Sequence, residues 1–413
     1  MRALALLLVL LLAGCSTPGA KDGGSPTAPT ASASRFLAPQ VMGEGGPEPV
    51  LAFSPEGDRL YLAAQDPEGG GPFVWVSKDG GATFDLKRPT QQGGGEVDLA
   101  AGPNGAVYLT QLGARGNIVS VSRDKGETWD SAPLGGASQY FDREWLTVDA
   151  NGRAYLVARE FGTTASAGVA RSDDRGLTWP PRGKAWTALD EPGEANGPLV
   201  AVGANVHLAY ICRQGEAVCV STTRDGGLTW SRAVVASRGT NAANVYPALA
   251  SVGGALLVAW ADASDGALAV YTSRSSDAAS WSAPQRASAT GGTAALPWLA
   301  SRGGATWLVY LRADEAMAAT DCAQAQGARW IPTAQPLDAQ GAPQGEPMPL
   351  TTEPAHVGIV SPPVGQSCSG GARDRNFGDF FTAAISPPGK LVVAWSADTG
   401  TIASTRDIVV RER

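Results

Sequence analysis

The sequence predicts an all-β protein, a β-propeller with seven four-stranded blades, on three observations. An eight-residue motif beginning at Ser77, Ser122, Ser172 and Thr223 recurs every 45 to 51 residues, a period typical of propellers and other repeat arrays. About seven short β-type hairpins with Gly, Asn or Pro turns recur at a similar spacing. Gly and Pro interrupt almost every window long enough to show the 3.6-residue period of a helix.

The N-terminus predicts export before any folded element begins. Arg2 precedes an apolar run, Ala3 to Leu12, that is too short to span a bilayer, which requires roughly 20 apolar residues. A run of this kind followed by small residues is typical of a secretory signal. The string Leu12-Ala13-Gly14-Cys15 resembles the processing site of bacterial lipoproteins, which implies a signal peptide over residues 1–14 and a lipid on Cys15. An ordinary signal peptide is the alternative.

Residues 15–34 are expected to form a flexible tether, because they are rich in Pro, Gly, Ser and Thr and contain no aliphatic side chain larger than Ala. Such a segment buries too little apolar surface to offset its ordering entropy. Residues 35–413 then form the folded body. The net charge of −7 argues against a nucleic-acid or anionic-membrane surface. We therefore expect an exported monomer on the periplasmic or outer-surface side of a membrane, attached only through its lipid.

The four cysteines that follow Cys15 form an even set, as expected for a chain that folds in an oxidising compartment. Cys212 and Cys219 flank a short polar turn, which predicts a disulfide across a hairpin. Pairing of Cys322 with Cys368 follows by elimination only.

The repeated motif reads hydroxyl, x, Asp, x, Gly, x, Thr, aromatic, and it predicts the turn between the third and fourth strands of a blade. Its Asp accepts hydrogen bonds from nearby backbone N–H groups, its Gly supplies a positive φ, and its aromatic residue packs between sheets. We expect the motif to fasten the turn; repeated metal or sugar sites are the alternative. The motif residues singled out are Asp79, Asp124, Asp174, Asp225, Trp129, Trp179 and Trp230.

Later repeats are degenerate, with a fifth copy ending at Trp281 and weaker echoes near Trp330 and Asp407. The last repeat ends after its third strand, and residues 36–41 are expected to supply the missing fourth strand and close the ring. Six blades are the alternative, if residues 296–376 form none.

Two segments are expected to depart from the repeats. Residues 311–326 predict one short helix within a loop. Residues 332–368, rich in Pro, Gly, Gln and Ala, predict an insertion that is either a lid over the central funnel or a decoration.

The motif S-x-D-x-G-x-T-W resembles the Asp box, or bacterial neuraminidase repeat, of the sialidase-like propeller superfamily. The resemblance implies the propeller fold and raises the activity of an exo-acting, sialidase-type glycoside hydrolase. That mechanism requires three arginines that grip a carboxylate, a Tyr–Glu pair and an Asp. The early Arg-Ile-Pro motif of the superfamily is missing, and the late inner strand Phe377-Gly378-Asp379-Phe380-Phe381 has no hydroxyl. We therefore expect a glycan or protein ligand at the funnel without the standard sialidase machinery.

The links between blades and the turns from second to third strands share one face, where binding residues are expected. The catalytic candidates are Asp142, Glu144, Tyr246 and Asp379, with Tyr140 as a second tyrosine. The ligand-binding candidates are Arg143, Arg159, Glu160, Arg373 and Arg375. Opposite charges near the axis predict either a ligand site or ion pairs that close the pore. No cofactor is expected; a Ca²⁺ ion held by Asp142, Glu144, Asp374 and Asp379 is the alternative.

Overall fold

A computed structural model describes residues 35–93, 95–113, 116–134, 141–160, 166–187, 193–237, 246–263, 266–316, 327–358, 360, 377–397 and 406–413. Residues 36–413 form one compact unit, in which the strands make seven antiparallel sheets. The predicted all-β fold class is confirmed: within the described ranges the helical elements are two 3-10 turns, Pro103–Gly105 and Arg213–Gly215. The same ranges contain no helix with the length and apolarity needed to cross a bilayer.

The seven sheets are the blades of a propeller, numbered here by the order of their innermost strands. Blade 1 consists of β2 (Val50–Phe53), β3 (Leu60–Ala64), β4 (Phe73–Ser77) and β5 (Asp85–Lys87). Blade 2 consists of β6 (Val97–Ala101), β7 (Val107–Gly113), β8 (Gly116–Ser122) and β9 (Asp130–Pro133). Blade 3 consists of β10 (Phe141–Val148), β11 (Ala154–Glu160), β12 (Ser166–Ser172) and β13 (Pro181–Thr187).

The remaining blades follow the same up-and-down order. Blade 4 consists of β14 (Gly193–Val202), β15 (Asn205–Cys212), β16 (Ala217–Thr223) and β17 (Ser231–Ser237). Blade 5 consists of β18 (Ala248–Val252), β19 (Ala255–Asp262), β20 (Ala269–Ser275) and β21 (Gln285–Arg286). Blade 6 consists of β22 (Thr293–Arg302), β23 (Ala305–Ala313), β24 (Arg329–Leu337) and β25 (Met348–Pro349), with β26 (His356–Val357) also paired to β24. Blade 7 consists of β27 (Thr382–Ile385), β28 (Leu391–Ala397), β29 (Arg406–Arg411) and β1 (Gln40–Val41).

The innermost strands form the ring. Each of β2, β6, β10, β14, β18, β22 and β27 contacts the innermost strand of the next blade, and β27 contacts β2. Each blade is therefore covered on both faces, which explains why the second strands are buried along most of their length rather than at alternate positions. All five residues of β3 are buried, whereas the four residues of the outer strand β9 are exposed.

Blade 7 closes the ring with the first strand of the chain, as predicted. Gln40 pairs with Val409 and Val41 with Ile408, and an isolated bridge joins Phe36 to Glu412. The four-stranded last blade is therefore made of both ends of the folded body.

The predicted insertion at 332–368 is wrong in its first residues, and because the sixth repeat forms a blade, the alternative of six blades is excluded. The first three residues of the expected helix, 311–313, belong to β23, and residues 317–326 lie outside the described ranges. The expected insertion begins too early, because residues 332–337 complete β24. Proline is normally excluded from a central strand, because it has no N–H group to donate. The carbonyls of Pro332 and Pro336, however, face the outer edge of β24, where they accept hydrogen bonds from the N–H groups of Leu350 and Gln344. Their missing N–H groups therefore fall on the side where pairing is partial.

Other side-chain predictions have mixed outcomes. The Cys212–Cys219 disulfide is present, with an S–S distance of 2.05 Å. His207 is a buried core residue, and its Nδ1 lies 2.9 Å from the hydroxyl of Thr222. His356 is a buried residue of β26 and pairs with Trp330. Cys15, Cys322 and Cys368 lie outside the described residues.

The Asp boxes lie at the turns from third to fourth strands. In the second box the Asp124 carboxylate accepts hydrogen bonds from the Ser122 hydroxyl and from the backbone N–H of Thr128, at 2.8 and 2.9 Å. The Thr128 hydroxyl and N–H hold the pKa of Asp124 at about 2. Asp79, Asp174 and Asp225 make the same contacts with their own Thr residues.

Each box also contacts the blade that precedes it. A Cβ on Gly176 would lie 2.5 Å from Val121 of blade 2 and 3.2 Å from Tyr108, and its φ is +80°. Glycine is therefore required both for the turn and for the packing. The box aromatics Trp129, Trp179 and Trp230 are half-buried at these junctions. This geometry is what a fastening role requires.

Candidate funnel site

The funnel axis is crossed by a cluster of five side chains, here called the hub: Glu48, Glu96, Arg143, Tyr246 and Asp379. Each lies at or just before the start of an innermost strand, in blades 1, 2, 3, 5 and 7 respectively. Innermost strands begin at the funnel face, so side chains at these positions converge on the axis. The hub thus joins five blades through residues far apart in the sequence.

Arg143 is the centre of the hub. Its φ is +57°, at a β-bulge between Asp142 and Trp145, and a bulge of this kind re-aims a side chain. The Arg143 Nη1 atom lies 3.5 Å from Glu48 Oε1 and 3.1 Å from Glu96 Oε1, and its Nη2 contacts Asp379 Oδ2. Its side chain is 8% exposed. The guanidinium is therefore committed to three carboxylates of its own chain.

Tyr246 completes the hub, because its ring face contacts the guanidinium of Arg143. The Arg143 Cζ atom lies 4.7 Å from the centre of the Tyr246 ring, within the range of a cation–π interaction. Burial raises the pKa of Tyr246 well above its ordinary value. The tyrosine is therefore held neutral, as a platform for a cation.

Glu96 is the carboxylate of the hub nearest to solvent, with 20% of its side chain exposed. Burial nevertheless raises its pKa well above the ordinary value, and the charge of Arg143 acts in the opposite direction. Glu48 is held more firmly, because its Oε1 accepts the backbone N–H of Asp379 and its Oε2 the amide of Gln65, each at 2.8 Å.

An aromatic floor closes the axis one step deeper along the innermost strands. Trp145, Trp298 and Phe380 lie with ring centres 5.2 to 6.1 Å apart, and the ring of Tyr246 adjoins Trp145 and Phe380 at 6.3 Å. Aromatic contacts of this kind add to the energy of their area burial. The funnel is thus a depression with a packed floor.

Two further carboxyl groups are buried beside the hub. Glu144 is 3% exposed, and neither of its carboxyl oxygens has a hydrogen-bond partner in the described part of the chain. Burial raises its pKa to about 8, with a further contribution from Asp142. Asp98 of blade 2 accepts the backbone N–H of Leu146 at 2.5 Å, and burial raises its pKa to about 7.

The structure brings together some of the candidates and places others elsewhere. Arg143, Tyr246 and Asp379 meet in the hub, with Glu144 beside them. Asp142 is half-buried and pairs in register with Arg159 of the neighbouring strand. Glu160 contacts Lys184 and the Ser166 hydroxyl, both in blade 3. Tyr140, Arg373, Asp374 and Arg375 lie outside the described residues.

Sequence reasoning missed Glu48, Glu96 and Asp98. A usable signal existed, because Glu48 and Glu96 precede their innermost strands by one or two residues, much as Asp379 precedes β27. A carboxylate one to three residues before an innermost strand in three repeats would have indicated that all three lie at the axis. No group of three or more His, Cys, Asp or Glu side chains arranged to hold a metal occurs in the described ranges.

Neither a protein-family model nor a curated protein matches the chain. Among solved structures, a fungal alcohol oxidase of the AA5 family in complex with copper is similar over 92% of this chain and 76% of its own, with a TM-score of 0.55 and 12% identity. A Hadza microbial sialidase matches 64% of this chain and 63% of its own, with a TM-score of 0.49 and 18% identity.

The sialidase of Trypanosoma rangeli matches 65% of this chain and 52% of its own, with a TM-score of 0.44 and 11% identity. These matches span less than two thirds of the length of either sialidase. At such identities the likeness concerns the fold alone. The seven blades, four of which carry a complete Asp box at the turn from the third to the fourth strand, confirm the predicted propeller fold.

Proposed function

We propose that the chain is an exported bacterial lipoprotein whose propeller binds a glycan or a protein partner at its funnel, without hydrolysis by the sialidase mechanism. The export signal and Cys15 supply the anchor, and residues 16–34 supply the tether. The funnel face supplies the binding surface, because it carries the links between blades and the longer turns.

The proposal rests on the ion pairs that Arg143 makes with carboxylates of its own chain. A carboxylate-gripping arginine needs free N–H groups that match a substrate carboxylate in pairs. Arg143 instead contacts Glu48, Glu96 and Asp379. A substrate carboxylate would have to displace one of these, which would leave that carboxylate without its counter-charge.

Tyr246 supports the same conclusion. The nucleophile of a sialidase-type mechanism needs a carboxylate that accepts its proton, whereas the ring face of Tyr246 supports a guanidinium. Burial raises the pKa of its hydroxyl, which opposes formation of a phenolate. The hub therefore holds its groups in a structural arrangement.

An exo-acting, sialidase-like glycoside hydrolase is the second candidate, and one observation favours it. Asp379 lies in the hub, and Arg375 precedes it by only four residues. Arg373 and Arg375 are thus candidates for a grip that Arg143 does not provide.

The test uses the full-length lipoprotein in detergent with a fluorogenic sialoside and, separately, an array of glycans. We expect no turnover, and glycan binding that Arg375→Ala weakens. Arg123→Ala is the matched control, since Arg123 pairs with Asp130 on the opposite face. Turnover that Asp379→Asn or Arg375→Ala abolishes would overturn the proposal in favour of the hydrolase.

A further inference from the structure

The N-terminal segment Phe36–Glu48, here called the strap, runs from the rim of blade 7 to the hub. At its outer end Phe36 is buried and packs against Trp307 of blade 6, with ring centres 6.4 Å apart. The Leu37 N–H donates to Arg411 O and the Met42 N–H to Asp407 O, both at 2.8 Å. These bonds, with the β1–β29 pairs, fix the outer half of the strap to blade 7.

The middle of the strap crosses blade 7 with no space for side chains. A Cβ on Gly45 would lie 2.4 Å from the backbone nitrogen of Asp407, and one on Gly46 would lie 2.0 Å from Gln65 O in blade 1. The Ser396 hydroxyl donates to Gly46 O at 3.0 Å. The strap is therefore wedged between the last blade and the first.

The inner end of the strap is part of the hub. Glu48 is 2% exposed and has a φ of +62°, a conformation that is uncommon for a residue with a side chain. Its carboxylate accepts the Asp379 N–H at 2.8 Å and lies 3.5 Å from Arg143. A Cβ on Gly378 would meet Glu48 Cγ at 2.5 Å, so the backbone on both sides holds Glu48 in place.

We propose that the strap is a conformational latch on the funnel: displacement of the strap from blade 7 withdraws Glu48 from Arg143 and loosens the hub. The path is short and continuous, from Phe36 through the wedged glycines to Glu48. Displacement would remove one of the three carboxylates of Arg143 and the acceptor of the Asp379 N–H. The contacts that define the latch do not depend on which ligand the funnel binds.

In the anchored protein proposed above, the strap is also where a load on the tether enters the propeller. Residue 35 directly precedes Phe36, so tension on the lipid acts first on the outer half of the strap. Its β1 strand is only two residues long, and short terminal elements open at low free-energy cost. The state of the anchor would thus be transmitted to the funnel.

Hydrogen exchange measured by mass spectrometry on the full-length protein in detergent tests the latch. Gly45→Ala introduces the clash with Asp407, whereas Gly43→Ala is the matched control, because a Cβ on Gly43 meets nothing within 4 Å. We expect Gly45→Ala to speed exchange of the Met42, Asp379 and Arg143 amides by about tenfold or more. The Gly43→Ala protein should exchange as the wild type does. Faster exchange at Met42 alone would show that strap and hub are independent, and would overturn the proposal.

A staple tests the same idea without a clash. Val41 and Ile408 are register partners on β1 and β29, and neither side chain is buried, so Val41→Cys with Ile408→Cys can be oxidised and reduced in the folded protein. The latch predicts that oxidation slows exchange at Met42 and also at Asp379 in the hub. Slower exchange at Met42, with Asp379 unchanged between the two redox states, would refute it.

Discussion

Glu144 should make the propeller less stable as the pH rises from acid to mildly alkaline values. Its carboxyl group is buried with both oxygens unpaired in the described part of the chain. Burial raises its pKa in the folded protein from an ordinary value of 4.5 to about 8. Between these two values the unfolded chain releases the proton and the folded chain keeps it, so stability falls with rising pH. Below 4.5 and above about 8 Glu144 contributes no further change.

The size of the effect follows from the difference between the two pKa values, about 3.5 pH units. Each pH unit in this window changes the free energy of unfolding by about 1.4 kcal/mol, which gives an upper bound of about 5 kcal/mol. Entry of water around the ionised group would reduce it. Asp98 acts in the same direction over a window from 3.8 to about 7. We expect these two groups together to favour the folded state most at the acid end of their windows.

The assay is urea unfolding followed by tryptophan fluorescence at several values between about pH 5 and pH 9. Glu144→Gln should flatten the decline in stability by several kcal/mol, because the amide has the same shape and cannot ionise. Glu127→Gln is the control: Glu127 pairs with Lys78 and Lys87 on the surface, and its variant should follow the wild-type slope. A Glu144→Gln protein with the wild-type slope would refute the reasoning, since Glu144 would then be ionised in the folded state.

Three other perturbations, two substitutions and the reduction of a disulfide, test the fold by the same unfolding assay. Asp124→Ala removes the acceptor of the Ser122 and Thr128 bonds and should cost about 1 to 2 kcal/mol; an unchanged midpoint would contradict the fastening role of the box. Arg143→Met leaves three hub carboxylates without a counter-charge and should cost about 3 to 5 kcal/mol, with Arg143→Lys restoring part of the loss; equal midpoints for all three proteins would contradict the hub. Reducing Cys212–Cys219 opens a loop with a sequence separation of 7 and should cost about 2 kcal/mol, and a reductant without effect would contradict this.

The blades could be predicted because their signals are local. Each Asp box places its acceptor within four residues of the N–H groups that it binds, as Asp124 does for Thr128, so one short string specifies one turn. Ring closure followed from counting strands, since the last repeat ends one strand short. The sixth blade was misjudged because its local signal was misleading: Pro332 and Pro336 are typical of a loop. They fit in β24 only because their missing N–H groups lie at its outer edge, where strand pairing is partial.

The hub could not be predicted in the same way, because its contacts join distant parts of the chain. Asp379 lies 236 residues from Arg143 and 331 from Glu48, and no local pattern specifies which carboxylates share one guanidinium. The predicted alternative of ion pairs near the axis described the kind of contact. The partners Glu48 and Glu96 required the three-dimensional structure.

The hub also limits where an anionic ligand could bind in the funnel. Arg143 presents its N–H groups in one plane, and a ligand carboxylate reaches them only if Glu48, Glu96 or Asp379 moves. Glu48 is held on two sides, by the strap and by Gly378, so a ligand can displace it only if the strap also moves. Breaking a buried ion pair of this kind costs about 3 to 5 kcal/mol. The binding free energy of a weak ligand does not readily offset that cost. We therefore expect an anionic ligand to be bound more favourably by arginines of the blade links. Substitution of Arg375, four residues before Asp379, best separates a binding propeller from a hydrolase.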